Sequence, residues 1–142
     1  MSLMQKVSGM AIEKMPKVIS PKGHAIADYV MAAGAFTAAA LFFKSGHKIA
    51  GIGALVAGVG ELTNPLITNF PGGVWDVISF PTHGRVDVGL TSMVASIPRM
   101  MKLDGGMESK FFYMHAAAAT TVVALTDFGS DGAQQRVAEA AK

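Results

Sequence analysis

The chain has 142 residues, of which 51% are hydrophobic and only 15% charged, with a formal charge of +2 and a mean hydropathy of +0.39. A soluble domain carries about 25% charged residues, so the composition argues against a water-facing surface and for an integral membrane protein. The lack of cysteine excludes disulfides, thiolate metal sites and cysteine nucleophiles, and the small positive charge, flanking apolar runs, suits lipid headgroups rather than nucleic acid.

Residues 1–20 set Leu3, Met4, Val7, Met10 and Ala11 at helical spacing with Lys6, Lys14 and Lys17 among them, the pattern of a basic amphipathic segment at the membrane surface. Lys14, Pro16 and Lys17 interrupt the first apolar stretch, so no secretory signal peptide is expected. Pro21, Lys22 and Gly23 then break the chain. A first span over about Ala25–Phe43 would reach ~28 Å, close to the hydrocarbon thickness of a bilayer. Between Asp28 and Lys44 its only ionisable side chain is Tyr29, so it has no face to offer water.

Lys44–Lys48 reads as a polar turn, and Ile49–Leu62 as a second span. Small residues four apart in it (Gly53/Ala57, Ala54/Gly58) let helices approach closely in lipid, which predicts that this helix is the most buried. Pro65 ends it. The linker 65–80, apolar and aromatic with Trp75 as an interfacial anchor, reads as re-entrant or interfacial. A third span covers about Val86–Met101, with Pro98 in its last turn. After a turn at Lys102–Lys110, a fourth covers about Phe111–Leu125. The tail 128–142 is polar.

His24-Ala-Ile-Ala-Asp28 and His83-Gly-Arg-Val-Asp87 stand 59 residues apart, with Pro21 and Pro81 upstream. Each leads through two apolar runs to a related ending, Glu61-Leu62-Thr63-Asn64 and Ala124-Leu125-Thr126-Asp127. The expected fold is therefore all-α: an integral membrane four-helix bundle of two duplicated hairpins, with repeat one at 21–64 and repeat two at 81–127. An even number of spans puts both termini on one side. Seven basic residues fall on that side (Lys6, Lys14, Lys17, Lys22, Arg85, Arg136, Lys142) and five opposite (Lys44, Lys48, Arg99, Lys102, Lys110), which favours cytoplasmic termini in a bacterial inner membrane.

This topology brings His24, Asp28, Glu61, Thr63, His83, Arg85, Asp87 and Asp127 to one membrane face. In each His-x-x-x-Asp the two side chains share a helical face. One reading is local: they satisfy free N–H groups of the helix start and complement its dipole. The other brings His24 and His83 together with Asp28 and Asp87 in support, to ligate haem iron or a divalent metal. Glu61, whose counterpart is Ala124, either pairs with Arg85 or a histidine, or serves as a proton or cation site. His115 reads as a packing residue towards the opposite face. Nothing matches a phosphate loop, a nucleophile elbow or a Ser-His-Asp set, so no catalytic residues are expected.

The doubled hairpin headed by Pro, His and Asp resembles small bacterial membrane proteins built on the Ser-Pro-Trp repeat, over about residues 21–127. The second half has Ser96-Ile97-Pro98 in place of the namesake tripeptide, and the first half has no proline there. The resemblance implies a two-repeat, four-helix membrane fold and no particular reaction. The leading functional expectation is a non-enzymatic accessory or scaffold subunit without cofactor. It would sit in the bilayer with other membrane subunits or copies of itself, and without nucleic acid. The alternatives are a haem- or metal-binding redox protein using His24 and His83, and a small proton- or ion-linked transporter centred on Glu61.

Overall fold

A computed structural model describes residues 15–129, and within them the chain is helical apart from connecting loops and short paired segments. Most of the expected amphipathic segment and of the polar tail lies outside the described residues. The helices are α1 (Pro21–Lys44), α2 (Lys48–Leu66), α3 (Phe80–Met100) and α4 (Met107–Leu125). Two-residue strands β1 (Thr68–Asn69) and β2 (Ile78–Ser79) pair in parallel between α2 and α3.

The starts of α1 and α3 are built alike. Ser20 and Ser79 are the N-caps, accepting from Gly23 N at 3.2 Å and Thr82 N at 3.4 Å, and proline occupies the first turn of each helix, where its missing N–H costs nothing. The capping role expected of the histidines and aspartates therefore falls to serine, which leaves the four ionisable side chains free to turn inward. α3 begins at Phe80 rather than near Val86 because the Ser79 cap starts the helix in its polar turn, before the apolar run.

α1 packs on α2 and α3 on α4; contacts between α2 and α3 and between α1 and α4 complete a four-helix ring. The core is mostly alanine, with Ala38, Ala39, Ala50, Ala54, Ala57 and Ala116 around Val94, Ile97 and Phe112. As expected, α2 supplies many small buried positions, among them Gly51, Gly53, Ala54, Ala57 and Gly58. A Cβ on Gly53 would lie 3.0 Å from Ile97 and 3.2 Å from Phe112, and one on Gly58 would lie 3.1 Å from the Phe36 ring. α2 runs through Pro65 and stops at Leu66.

Two helices, Pro21–Lys44 and Lys48–Leu66, are long and apolar enough to cross a membrane. Their outer faces expose large apolar side chains, including Ile26, Val30, Leu41, Ile52, Val56 and Val59. α3 and α4, with 21 and 19 residues, have similar length but carry more polar side chains.

The chain segments outside the helices cross between the hairpins at one end of the ring. Ile19, ahead of α1, bridges in parallel to Thr126, just after α4; Thr68, just after α2, pairs with Ile78, ahead of α3. The loop between the strands folds back on α1, where Tyr29 donates to Gly72 O at 2.6 Å. Trp75 on this loop is 57% exposed.

Candidate metal centre

The two crossings position the histidines. Thr126 follows α4 and its hydroxyl donates to Val122 O at 2.6 Å. A threonine has one proton to give, so towards His24 Nδ1, 2.8 Å away, it can only accept. Thr68 does the same after α2: it donates to Asn64 O at 2.6 Å and stands 2.9 Å from His83 Nδ1. Both imidazoles therefore carry a proton on Nδ1, which turns both Nε2 atoms into the bundle.

Those two Nε2 atoms face each other at 3.1 Å, and both histidines are fully buried. Asp87 Oδ2 lies 3.0 Å from each. Asp28 straddles them, with Oδ1 3.3 Å from His24 Nε2 and Oδ2 3.2 Å from His83 Nε2. One donor atom from each of the four residues fits within a 4.8 Å span. Asn64 Nδ2 donates to Asp87 Oδ1 at 2.7 Å and to His83 O at 3.2 Å, anchoring that carboxylate. Asp28 Oδ2 is buried without a hydrogen-bond donor. Two carboxylates converging on two imidazoles call for positive charge at their centre, which a bound cation or protons on Nε2 supply.

The spacing is that of donors around one ion. With metal–ligand bonds of about 2.0–2.1 Å, neighbouring donors lie about 2.9 Å apart in an octahedron and about 3.3 Å apart in a tetrahedron. The five separations that involve the Nε2 atoms, 3.0 to 3.3 Å, fall within that interval, Asp28 reaching the two histidines through different oxygens. A threonine holding the far nitrogen of each imidazole, and an asparagine holding a carboxylate, are the outer partners that orient metal ligands.

Aromatic rings close the side facing the crossings. Phe128 and Phe80 sit 5.1 and 5.5 Å from His24, and Phe70 sits 5.2 Å from His83. Phe128 reaches this position because Gly84 lies beneath it: a Cβ there would stand 2.8 Å from its ring.

Of the residues anticipated from sequence, His24, Asp28, His83 and Asp87 come together. A polar cluster of Glu61, Thr63, Arg85 and Asp127 does not form. Thr63 is exposed and returns its hydroxyl to Val59 O at 2.7 Å; Arg85 is exposed on α3; Asp127, also exposed, accepts from Gly129 N at 2.9 Å. Glu61 instead meets His115, whose Nε2 lies 2.8 and 3.0 Å from its two oxygens. The cause is helical phase: Glu61 and Asn64, three apart on α2, face the bundle, whereas Thr63 faces out. Thr68, Asn64 and the phenylalanine cap lay outside the sequence expectation. A polar residue just after each second helix was the available signal, but the aligned tetrapeptides matched Thr126 to Thr63, whereas the contact geometry matches it to Thr68.

Comparison with protein-family models, curated proteins and solved structures finds no match for this chain.

Proposed function

We propose that this chain is an integral membrane metal protein, a bundle of two duplicated helical hairpins of the Ser-Pro-Trp-repeat kind, holding one divalent first-row transition metal between His24, Asp28, His83 and Asp87. The observation that carries the reading is the pair of Nε2 atoms 3.1 Å apart between two carboxylates, each ring held by a threonine on the opposite nitrogen. Two imidazoles with two carboxylates suit Mn(II), Fe(II) or Zn(II), since imidazole favours the later metals and carboxylate the harder ones. Such a charged cluster in apolar surroundings is costly unless its members compensate one another. A bound dication neutralises both aspartates.

Haem fits these residues less well. Two axial imidazoles stand about 4 Å apart across the iron, with the macrocycle filling the plane between them, where both aspartates now lie. The metal-centre reading stands ahead of the scaffold role because it has a specific geometry behind it. The duplication is supported by the like treatment of each half: serine cap, early proline, His-x-x-x-Asp, and a threonine on Nδ1 from the other hairpin's end. The exposed apolar faces of α1 and α2 support lodging in a bilayer, with both chain ends on one side, the cytoplasmic side of a bacterial membrane.

The test is metal content. Protein purified from membranes in mild detergent and offered Mn(II), Fe(II) or Zn(II) retains about one ion per chain after desalting, as a site of this kind binds tightly. His24→Ala and His83→Ala each abolish retention. Wild-type protein that retains none of the three metals overturns the reading.

A further inference from the structure

The four donors are closed by aromatic rings on one side and open on another. A cavity of about 30 Å³ adjoins the cluster, lined by His24, Asp28 and Asp87 at one end and by Glu61 at the other. That volume exceeds the ~10–15 Å³ needed to lodge one water. Between the ends the walls are largely apolar, formed by Met31, Leu90, Ala119 and Val122 among others, with Thr91 adding a hydroxyl. Thr91 differs from Thr37, Thr63 and Thr120, which each return the hydroxyl to the carbonyl one turn back; among the described residues it makes no such bond. Glu61 is held from behind by His115, at 2.8 and 3.0 Å. Each carboxylate oxygen keeps a lone pair to spare.

From this geometry, and resting on the metal-centre reading above, we propose that the centre keeps one exchangeable coordination position, opening into this cavity. A water or other ligand of two heavy atoms at most sits there between the ion and Glu61. His24, Asp28 and Asp87 border the cavity while Phe70, Phe80 and Phe128 seal the cap, so a ligand beyond the four protein donors can reach the ion from the cavity alone. Its size sets the ligand class, and its apolar walls admit uncharged diatomic molecules as readily as water. Glu61 lies three residues before Asn64 on α2, on the same face and about one turn deeper in the bundle, where it can accept a hydrogen bond from metal-bound water. The titratable groups facing it are His24 and Asp28 of α1, Asp87 of α3 and His115 of α4.

The probe is nitric oxide added anaerobically to the Fe(II)-loaded full chain in detergent micelles, read by electron paramagnetic resonance. The wild-type protein is expected to give the half-integer-spin signal of an iron–nitrosyl in proportion to bound iron. Ala119→Leu extends a side chain into the cavity and lowers nitric oxide affinity by at least about tenfold while iron binding is retained, since the pocket has no spare volume for both. Glu61→Gln keeps the volume but weakens the hold on the competing water, so nitric oxide, which donates no hydrogen bond, binds about tenfold more tightly, the scale of one charge-assisted hydrogen bond. The two variants move the same affinity in opposite directions, so a folding defect in one leaves the other decisive. Iron that binds stoichiometrically but gives no nitrosyl signal, or equal affinity in wild type and Glu61→Gln, overturns this inference alone. Failure to bind iron, manganese or zinc overturns it together with the metal centre.

Discussion

His24 and His83 differ from ordinary buried histidines in what each does with its far nitrogen. A packing histidine needs one partner per ring nitrogen; here Nδ1 is satisfied by a threonine that has already spent its own proton on a helix carbonyl. That arrangement orients each ring and turns its Nε2 towards the other imidazole and the two carboxylates. Thr68→Val and Thr126→Val each remove the fixing oxygen with little change in volume, so metal affinity falls by about 10- to 100-fold while the protein stays folded, measured by competition with a chromophoric chelator. Unchanged affinity in both variants would show that the threonines serve the backbone only. The four clustered residues were legible in the sequence because His-x-x-x-Asp occurs twice and residues four apart share a helical face. Thr68 was not, because it lies beyond the helix, in a loop whose path depends on pairing with Ile78. His115, read as a packing residue, was not: Glu61 was expected to pair with Arg85 or a histidine, but which histidine meets it depends on helical phase across the bundle.

At the scale of the helix, α2 carries a steric requirement and α1 does not. Gly53 and Gly58 face side chains at 3.0–3.3 Å from where a Cβ would lie, whereas Gly34 of α1 faces open space. Gly53→Leu therefore overfills the interface and destabilises the fold by about 1–3 kcal/mol. Gly34→Ala leaves contacts untouched and gains about 0.5–1 kcal/mol from helix propensity. Both changes are read from the midpoint of thermal unfolding in detergent; destabilisation by Gly34→Ala, or tolerance of Gly53→Leu, contradicts this packing. The four helices and their order were readable from apolar runs, and the small-residue face of α2 from its spacing. The helix starts were not, since an apolar run marks only the part suited to hydrocarbon. α3 begins six residues ahead of Val86 because Ser79 and Pro81 start it in polar sequence.

For the molecule as a whole, the outer faces carry more large apolar side chains than the core does. The core is small and alanine-rich, while Ile26, Val30, Val56, Val59 and many other large apolar side chains point outward. Large exposed apolar faces of this kind mark an interaction surface, and a bilayer is the surroundings proposed above for them. The protein is expected to sediment with membranes, to resist alkaline carbonate and to be released by detergent. Recovery as a folded monomer in aqueous buffer contradicts that placement. Apolarity and the recurring His-x-x-x-Asp were evident in the sequence, but the way the hairpins interlock was not: Ile19 meets the end of α4 and Ile78 the segment just after α2, contacts between segments too short to carry a periodic signal.

The central claim is that one metal ion sits between two imidazoles and two carboxylates, and X-ray absorption at the K-edge of the bound metal tests it most directly. The account predicts a first shell of nitrogen and oxygen at about 2.0–2.2 Å, with the outer-shell scattering pattern of two imidazole rings that disappears by half in His83→Ala protein reloaded at high metal concentration. A spectrum with no imidazole scattering in the wild type would contradict it.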